Sequence, residues 1–148
     1  MLFIRAVLVS AAGVLLGAAT PPHQIAVEAS AKRIPLVPLS DADEQSTEET
    51  GCTFTFTGAG RDYLQLVGSE LMLRDQQGLR SCRLAEKEGE DLETGQGTAS
   101  CSGYRLRIQA TGRSTSSAAT DSSSGRAVLM VDHGGVATSM RGTWGVAC

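Results

Sequence analysis

Tyr104-Arg105-Leu106-Arg107-Ile108-Gln109-Ala110-Thr111 is the stretch whose reading decides the fold. Tyr104, Leu106, Ile108 and Ala110 alternate with Arg105, Arg107, Gln109 and Thr111, the period-two pattern of a strand with one face buried and one face in water. The same rhythm recurs in shorter runs on both sides. Phe54 and Phe56 alternate with threonines over 53–57, and runs at 63–67 and 70–74 flank Gly68-Ser69, a pair suited to a tight hairpin. A run at 79–84 follows a turn over Asp75-Gln76-Gln77-Gly78, runs at 126–131 and 136–141 flank Asp132-His133-Gly134-Gly135, and 144–148 forms a last strand. The sequence from Gly51 to Cys148 contains no proline and no long helical periodicity. It predicts an all-β domain, a small antiparallel β-sandwich or barrel of about seven or eight strands. Charged residues 86–97 read as a short helical turn or a solvent loop, and 112–125 as a Ser/Thr-rich surface loop.

Upstream of Gly51 the texture differs. Residues 1–19 read as a signal peptide: Arg5 supplies the positive charge, an uncharged apolar run follows, and Gly17 and Ala19 form a small-x-small cleavage site. The run is shorter than a bilayer span, which takes about 20 apolar residues, so no stable membrane insertion is expected once the leader is removed. Residues 20–50 hold all four prolines and the acidic cluster Asp41, Asp43, Glu44, Glu48 and Glu49. They are predicted to form a disordered Pro-rich, acidic linker, because such a composition buries too little apolar surface to offset the entropy of ordering. The chain then divides into signal peptide 1–19, linker 20–50 and β domain 51–148. A periplasmic or secreted location follows. Arginine far outnumbers lysine and asparagine is absent, the bias of a GC-rich coding sequence, which points to a bacterial source.

All four cysteines, Cys52, Cys82, Cys101 and Cys148, follow the leader. An even count in an exported chain implies disulfides, since thiols stay paired only in an oxidising compartment. Cys52 shares strand parity with Phe54 and Phe56, and Cys148 with Trp144 and Val146, so both are expected to face the core. Four cysteines allow three connectivities. The parity favours Cys52–Cys148 joining the first strand to the last, with Cys82–Cys101 as the second bridge. There is no Cys-x-x-Cys and histidine ligands are scarce, so the bridges are expected to be structural staples, with no metal and no cofactor.

Few residues suggest chemistry. His23 falls in the linker, and His133 lies beside Asp132 in a Gly-Gly turn, where neighbouring side chains point apart; no serine sits in a Gly-x-Ser-x-Gly elbow. No catalytic residue is assigned, and a hydrolase using His133 is the third reading of function. From Gly51 onward ten basic residues balance ten acidic ones, so nucleic acid is not an expected partner. One local pattern stands out. Arg105 and Arg107 project from the same face of the best strand, with Arg80 or Arg126 as candidates to lie on neighbouring strands. Such a row suits an anionic glycan or an acidic protein surface.

Ser100-Cys101-Ser102-Gly103-Tyr104 resembles the Ser-Ala-Ser-Gly loop of C-type lysozyme inhibitors, small secreted all-β proteins with an export leader and disulfide bracing. The similarity spans these five residues, with Cys101 where those inhibitors carry alanine. It implies an inhibitory loop at Ser100, Ser102 and Gly103, or in the 112–125 segment. The leading expectation is an exported β-domain acting as a binding or structural accessory module, the alternative being an inhibitor of a secreted hydrolase. The intact mass of the exported protein tests the leader directly: it is expected to correspond to a chain beginning at Thr20, and a retained Met1 in membrane fractions would contradict the cleavage.

Overall fold

The computed structural model describes residues 33–148, so the leader and its cleavage site lie outside the described residues. The alternating runs form one antiparallel sheet. Its main strands are β2 (Thr53–Gly58), β3 (Arg61–Val67), β4 (Glu70–Asp75), β5 (Gly78–Arg83), β6 (Gln96–Cys101), β7 (Tyr104–Ala110), β9 (Ser122–His133) and β10 (Val136–Ala147). Short strands β1 (Leu36–Val37) and β8 (Thr115–Ser117) pair with β4 and β9. Across the sheet the order is β5-β4-β3-β2-β10-β9-β7-β6, so neighbours in space are neighbours in sequence except where β10 returns to β2 and where β9 pairs with β7 past the short β8. The sheet curls until its two edges, β5 and β6, approach each other. There the Cys82–Cys101 disulfide holds the strands with their Cα atoms 5.5 Å apart. Of the two architectures expected, the curled, barrel-like one is present.

Alternation sorts the side chains as the sequence requires. Phe54, Phe56, Leu64, Leu66, Leu71, Leu73, Leu106, Leu129 and Val131 line the inside of the curl and are fully buried. At the usual 1.5–3 kcal/mol for a large apolar side chain, roughly, this interior is the main favourable contribution to folding. The charged segment after β5 resolves into a helix, α2 (Glu86–Glu93), which brings Leu92 into the core and lays Gly89 against Leu66. Trp144 is 4% exposed and wedged between Gly95 and Gly125; a Cβ on Gly125 would lie 2.9 Å from its Nε1, so both glycines are needed for the indole to fit.

Both disulfides join the predicted partners, Cys52 with Cys148 and Cys82 with Cys101. Such bridges are compatible with an oxidising compartment. The expectation that Cys148 faces the core is corrected: it is exposed, and its bridge closes the end of the sheet where the first and last strands finish. β10 also corrects the expected break between 136–141 and 144–148. It runs unbroken through Gly142, which adjoins the Thr57 carbonyl and the Phe56 ring, so that glycine serves a close approach between strands.

The disordered linker expected over 20–50 is corrected for residues 33–50, which form a strap packed on the sheet. β1 pairs with β4, and Leu36 and Leu39 are each 4% exposed. A short helix, α1 (Asp41–Glu44), begins with a reciprocal cap in which the Ser40 amide and hydroxyl each donate to Asp43 Oδ2 at 2.8 Å. The strap then crosses the outer face of β3 and β4, so that Met72 becomes fully buried there, and Thr47 donates to Glu70 at 2.6 Å. Its anchor is Asp43, whose carboxylate receives both oxygens' bonds from Arg74 at 2.6 and 2.8 Å. Burial pushes the Asp43 pKa up, but the Ser40 amide, the Ser40 hydroxyl and the Arg74 guanidinium outweigh it and hold the carboxyl below its ordinary 3.8.

A depressed carboxyl pKa stabilises the fold above the unfolded value and loses that contribution as pH falls through the folded value. Thermal melts of wild type and Asp43→Asn should therefore differ by a constant amount from neutral pH down to about 4, with the gap closing at lower pH. A gap that persists unchanged at pH 2 would show that Asp43 does not anchor the strap through its charge. Removing either disulfide alone, by a paired Cys→Ala substitution, should lower stability by about 2–5 kcal/mol in urea titrations.

Candidate functional site

The strap covers the outer face of β3 and β4 and leaves the outer face of β2, β10, β9, β7 and β6 in water. Register fixes what stands there. Arg105 of β7 lies opposite Asp132 of β9, which lies opposite Ala137 of β10; one step along, Arg107, Met130 and Ser139 form the next row. These residues line a shallow depression of about 490 Å³ in which Met130 and Asp132 of β9 lie between the two arginines of β7 and Ala137 and Ser139 of β10. Arg105 and Arg107 thus share a face as predicted. Arg126 joins them on the neighbouring strand β9, whereas Arg80 is committed elsewhere, to Asp75 at 3.1 Å and Gln77 at 2.7 Å.

The even charge balance of the domain conceals a separation. Residues 33–93 carry six basic residues against thirteen acidic ones, and the four ion pairs among the described residues, Arg74–Asp43, Arg80–Asp75, Arg83–Glu49 and Lys87–Asp91, all lie in that half. Residues 94–148 carry Arg105, Arg107, Arg113, Arg126 and Arg141 against Asp121 and Asp132 only. None of those five arginines is in an ion pair among the described residues. The outer face of β7, β9 and β10 therefore carries Arg105, Arg107, Arg126 and Arg141 with Asp132 as its one carboxylate, and Arg113 adds a further guanidinium from the loop after β7.

The remaining candidates fall into structural places. His133 stacks on Tyr104, with ring centroids 4.0 Å apart and planes 15° apart, and its Nδ1 lies 3.2 Å from the Gly103 carbonyl. Neither a carboxylate nor a serine hydroxyl is among its hydrogen-bond partners in the described residues. Tyr104 reaches across the interior to donate to Asp75 at 3.1 Å. Asp75 also accepts from the Gln77 and Gly78 amides and from Arg80; burial raises its pKa, and these donors more than reverse the effect. With Asp75 as partner, Tyr104 has its own pKa raised, first by burial and then by that bond.

Ser102 and Gly103 form a two-residue hairpin turn between β6 and β7, with φ of +50° and +83°. Ser100 lies on β6 beneath the turn, and Cys101 is 2% exposed. This turn is tight against the Cys82–Cys101 bridge, where Ser102 Oγ lies 3.6 Å from Cys82 Sγ, and it does not project. The longest exposed stretch among the described residues runs from Thr111 to Asp121 and includes β8. Among the described residues no group of three or more His, Cys, Asp or Glu side chains is placed to hold a metal ion, and no helix is long and apolar enough to cross a membrane. The chain matches no family model, no curated protein and no solved structure.

Sequence reasoning singled out Arg105 and Arg107 but missed Met130, Ala137 and the long-range pairing that sets them beside the arginines. The signal available was the parity of β9 and β10 once their Gly134-Gly135 turn was placed. Two substitutions separate the buried polar network from the surface stack. Tyr104→Phe should cost about 1–3 kcal/mol by leaving Asp75 short of a donor, whereas His133→Ala should cost under about 1 kcal/mol, both read by urea unfolding.

Proposed function

We propose that the domain is an exported binding module, periplasmic or secreted, that docks an anionic partner on the outer face of β7, β9 and β10 through Arg105 and Arg107. The observation that carries this reading is the contrast between the two halves of the chain. Arg74, Arg80 and Arg83 of the first half each pair with a carboxylate, although Arg33 and Arg61 do not, whereas Arg105 and Arg107 are in no ion pair among the described residues and stand on a strand whose other face is anchored by Leu106 and Ile108, 0% and 2% exposed. Guanidinium groups outside any ion pair need not give up an existing partner to bind, and they present forked donors to a carboxylate or phosphate. Met130 and Ala137 add apolar contact beside the charge. The partner fitting this combination is an acidic protein segment with an apolar side chain next to its carboxylates.

The reading as an inhibitor of a secreted hydrolase is favoured by one feature, the exposed hairpin from Thr111 to Asp121. The tight Ser102-Gly103 turn does not favour it. A hydrolase mechanism through His133 draws no support from its stacking on Tyr104.

Retention on immobilised poly-glutamate, eluted with a salt gradient, tests the main reading. Arg105→Ala with Arg107→Ala should elute at clearly lower salt than wild type with an unchanged melting temperature, because exposed charges contribute little to stability and steer association through screened electrostatics. Unaltered retention would overturn the assignment of this face.

A further inference from the structure

A second recess lies on the same outer sheet, beyond the arginine row, and its chemistry differs. Thr55 of β2, Gly145 of β10, Ser124 of β9 and Thr115 of β8 stand in one row across four strands. The adjacent row is Thr53, Ala147, Ser122 and Ser117. Hydroxyls of β2 and β8 thus form two walls, and the floor between them is kept low by Gly145 and Ala147. Two adjoining depressions of about 340 and 390 Å³ run along this channel and share Thr55, Thr115, Ser124 and Gly145. At one end the lining changes to Arg113 and Arg126, both exposed and neither in an ion pair among the described residues.

We infer that this channel is a binding site for an extended acidic saccharide, its hydroxyls held along the Thr and Ser walls and its carboxylate at Arg113 and Arg126. Each wall hydroxyl both donates and accepts, which is the complement of a sugar hydroxyl and a poor match for an apolar ligand. Gly145 and Ala147 leave room for a ring to lie on the sheet, where a larger side chain would lift it. The two arginines supply forked, charge-assisted bonds that a neutral sugar cannot use. Thr115 and Ser124 hydroxyls lie 3.3 Å apart, so the two are already close enough to act on one sugar hydroxyl together. Thr57, one row nearer the arginines, is committed to Asp62 and contributes nothing. This site uses neither Arg105 nor Arg107, so it stands apart from the docking face proposed above.

The test is calorimetric titration of the oxidised full chain with a galacturonate hexamer, its methyl ester and inorganic phosphate. The hexamer should bind, and the uncharged ester should bind about tenfold more weakly or worse. Arg113→Ala with Arg126→Ala should weaken the hexamer by a similar factor, and Gly145→Val should block it, both with the melting temperature retained. A Cβ at 145 meets its nearest atoms at 3.8 Å, ordinary contact, so the first added atom fits without displacing the backbone. Should Gly145→Val unfold the domain, Thr55→Val serves in its place and should weaken the hexamer while leaving the fold intact. Equal binding of acid and ester, or phosphate binding with no hexamer binding, would overturn the saccharide assignment. Hexamer binding lost in Arg105→Ala with Arg107→Ala but kept in the Arg113 and Arg126 variant would also overturn it, while leaving the docking face in place.

Discussion

A sheet of eight long strands that curls on itself must end in two edges, and in this protein those edges are β5 and β6. Unpaired edges expose rows of amides and carbonyls that invite pairing with another chain. Here the seam is held by the Cys82–Cys101 bridge rather than by a continuous ladder, and α2 spans it in sequence while placing Leu92 beneath it. The rest of the structure depends on that closure. With the seam held, Leu71 and Leu73 of β4 share one interior with Leu106 and Ile108 of β7. Without it, the sheet could flatten and that interior would open to water. The outer face inherits the same constraint, because the curvature that buries one set of side chains fixes the direction in which Arg105, Arg107 and the hydroxyl rows point.

The second organising element is the strap. It turns the outer face of β3 and β4 into a second, smaller packed layer around Met72, and it does so with charge as well as with apolar contact. Asp43 is buried and would be costly alone, but a cap from Ser40 and two bonds from Arg74 compensate it. This division of labour accounts for the separation of charge. Asp43, Glu49, Glu70 and Asp75 cap, bridge and fasten on this side, and on the other side Arg105 and Arg107 are in no ion pair among the described residues.

The strands were legible in the sequence wherever one face is buried and the other solvated, as at 53–57 and 104–111, because burial imposes period two directly. The disulfide pairing was legible in outcome, Cys52–Cys148 from strand parity and Cys82–Cys101 as the remaining pair, although Cys148 proves exposed rather than core-facing. The strap was not. Its segment from 33 to 50 holds only a few apolar residues, Leu36 and Leu39 among them, and its stability resides in partners such as Arg74 and Met72 that lie over twenty residues away. β8 was hidden for a related reason: Thr115, Ser116 and Ser117 are all exposed, so no buried face marks the strand, and only its pairing with Ser122–Ser124 reveals it. The arginine pair was visible because alternation set it on one face. The apolar residues beside it, and the hydroxyl channel, come from three or four strands at once and have no local signature.

The bridge between Cys52 and Cys148 makes the domain a covalent ring, closed across 96 residues. A chain in that form answers proteases differently from a linear one. The stretch most open to cleavage is the exposed hairpin from Thr111 to Asp121, and it lies inside the ring. A single cut there would produce no free fragment: the piece carrying β2–β7, with its own Cys82–Cys101 bridge, would remain tied to the piece carrying β9 and β10, and the ladders among β7, β9, β10 and β2 would still hold the pieces in register. In a compartment rich in secreted proteases, such a nicked molecule would keep its interior and its outer face.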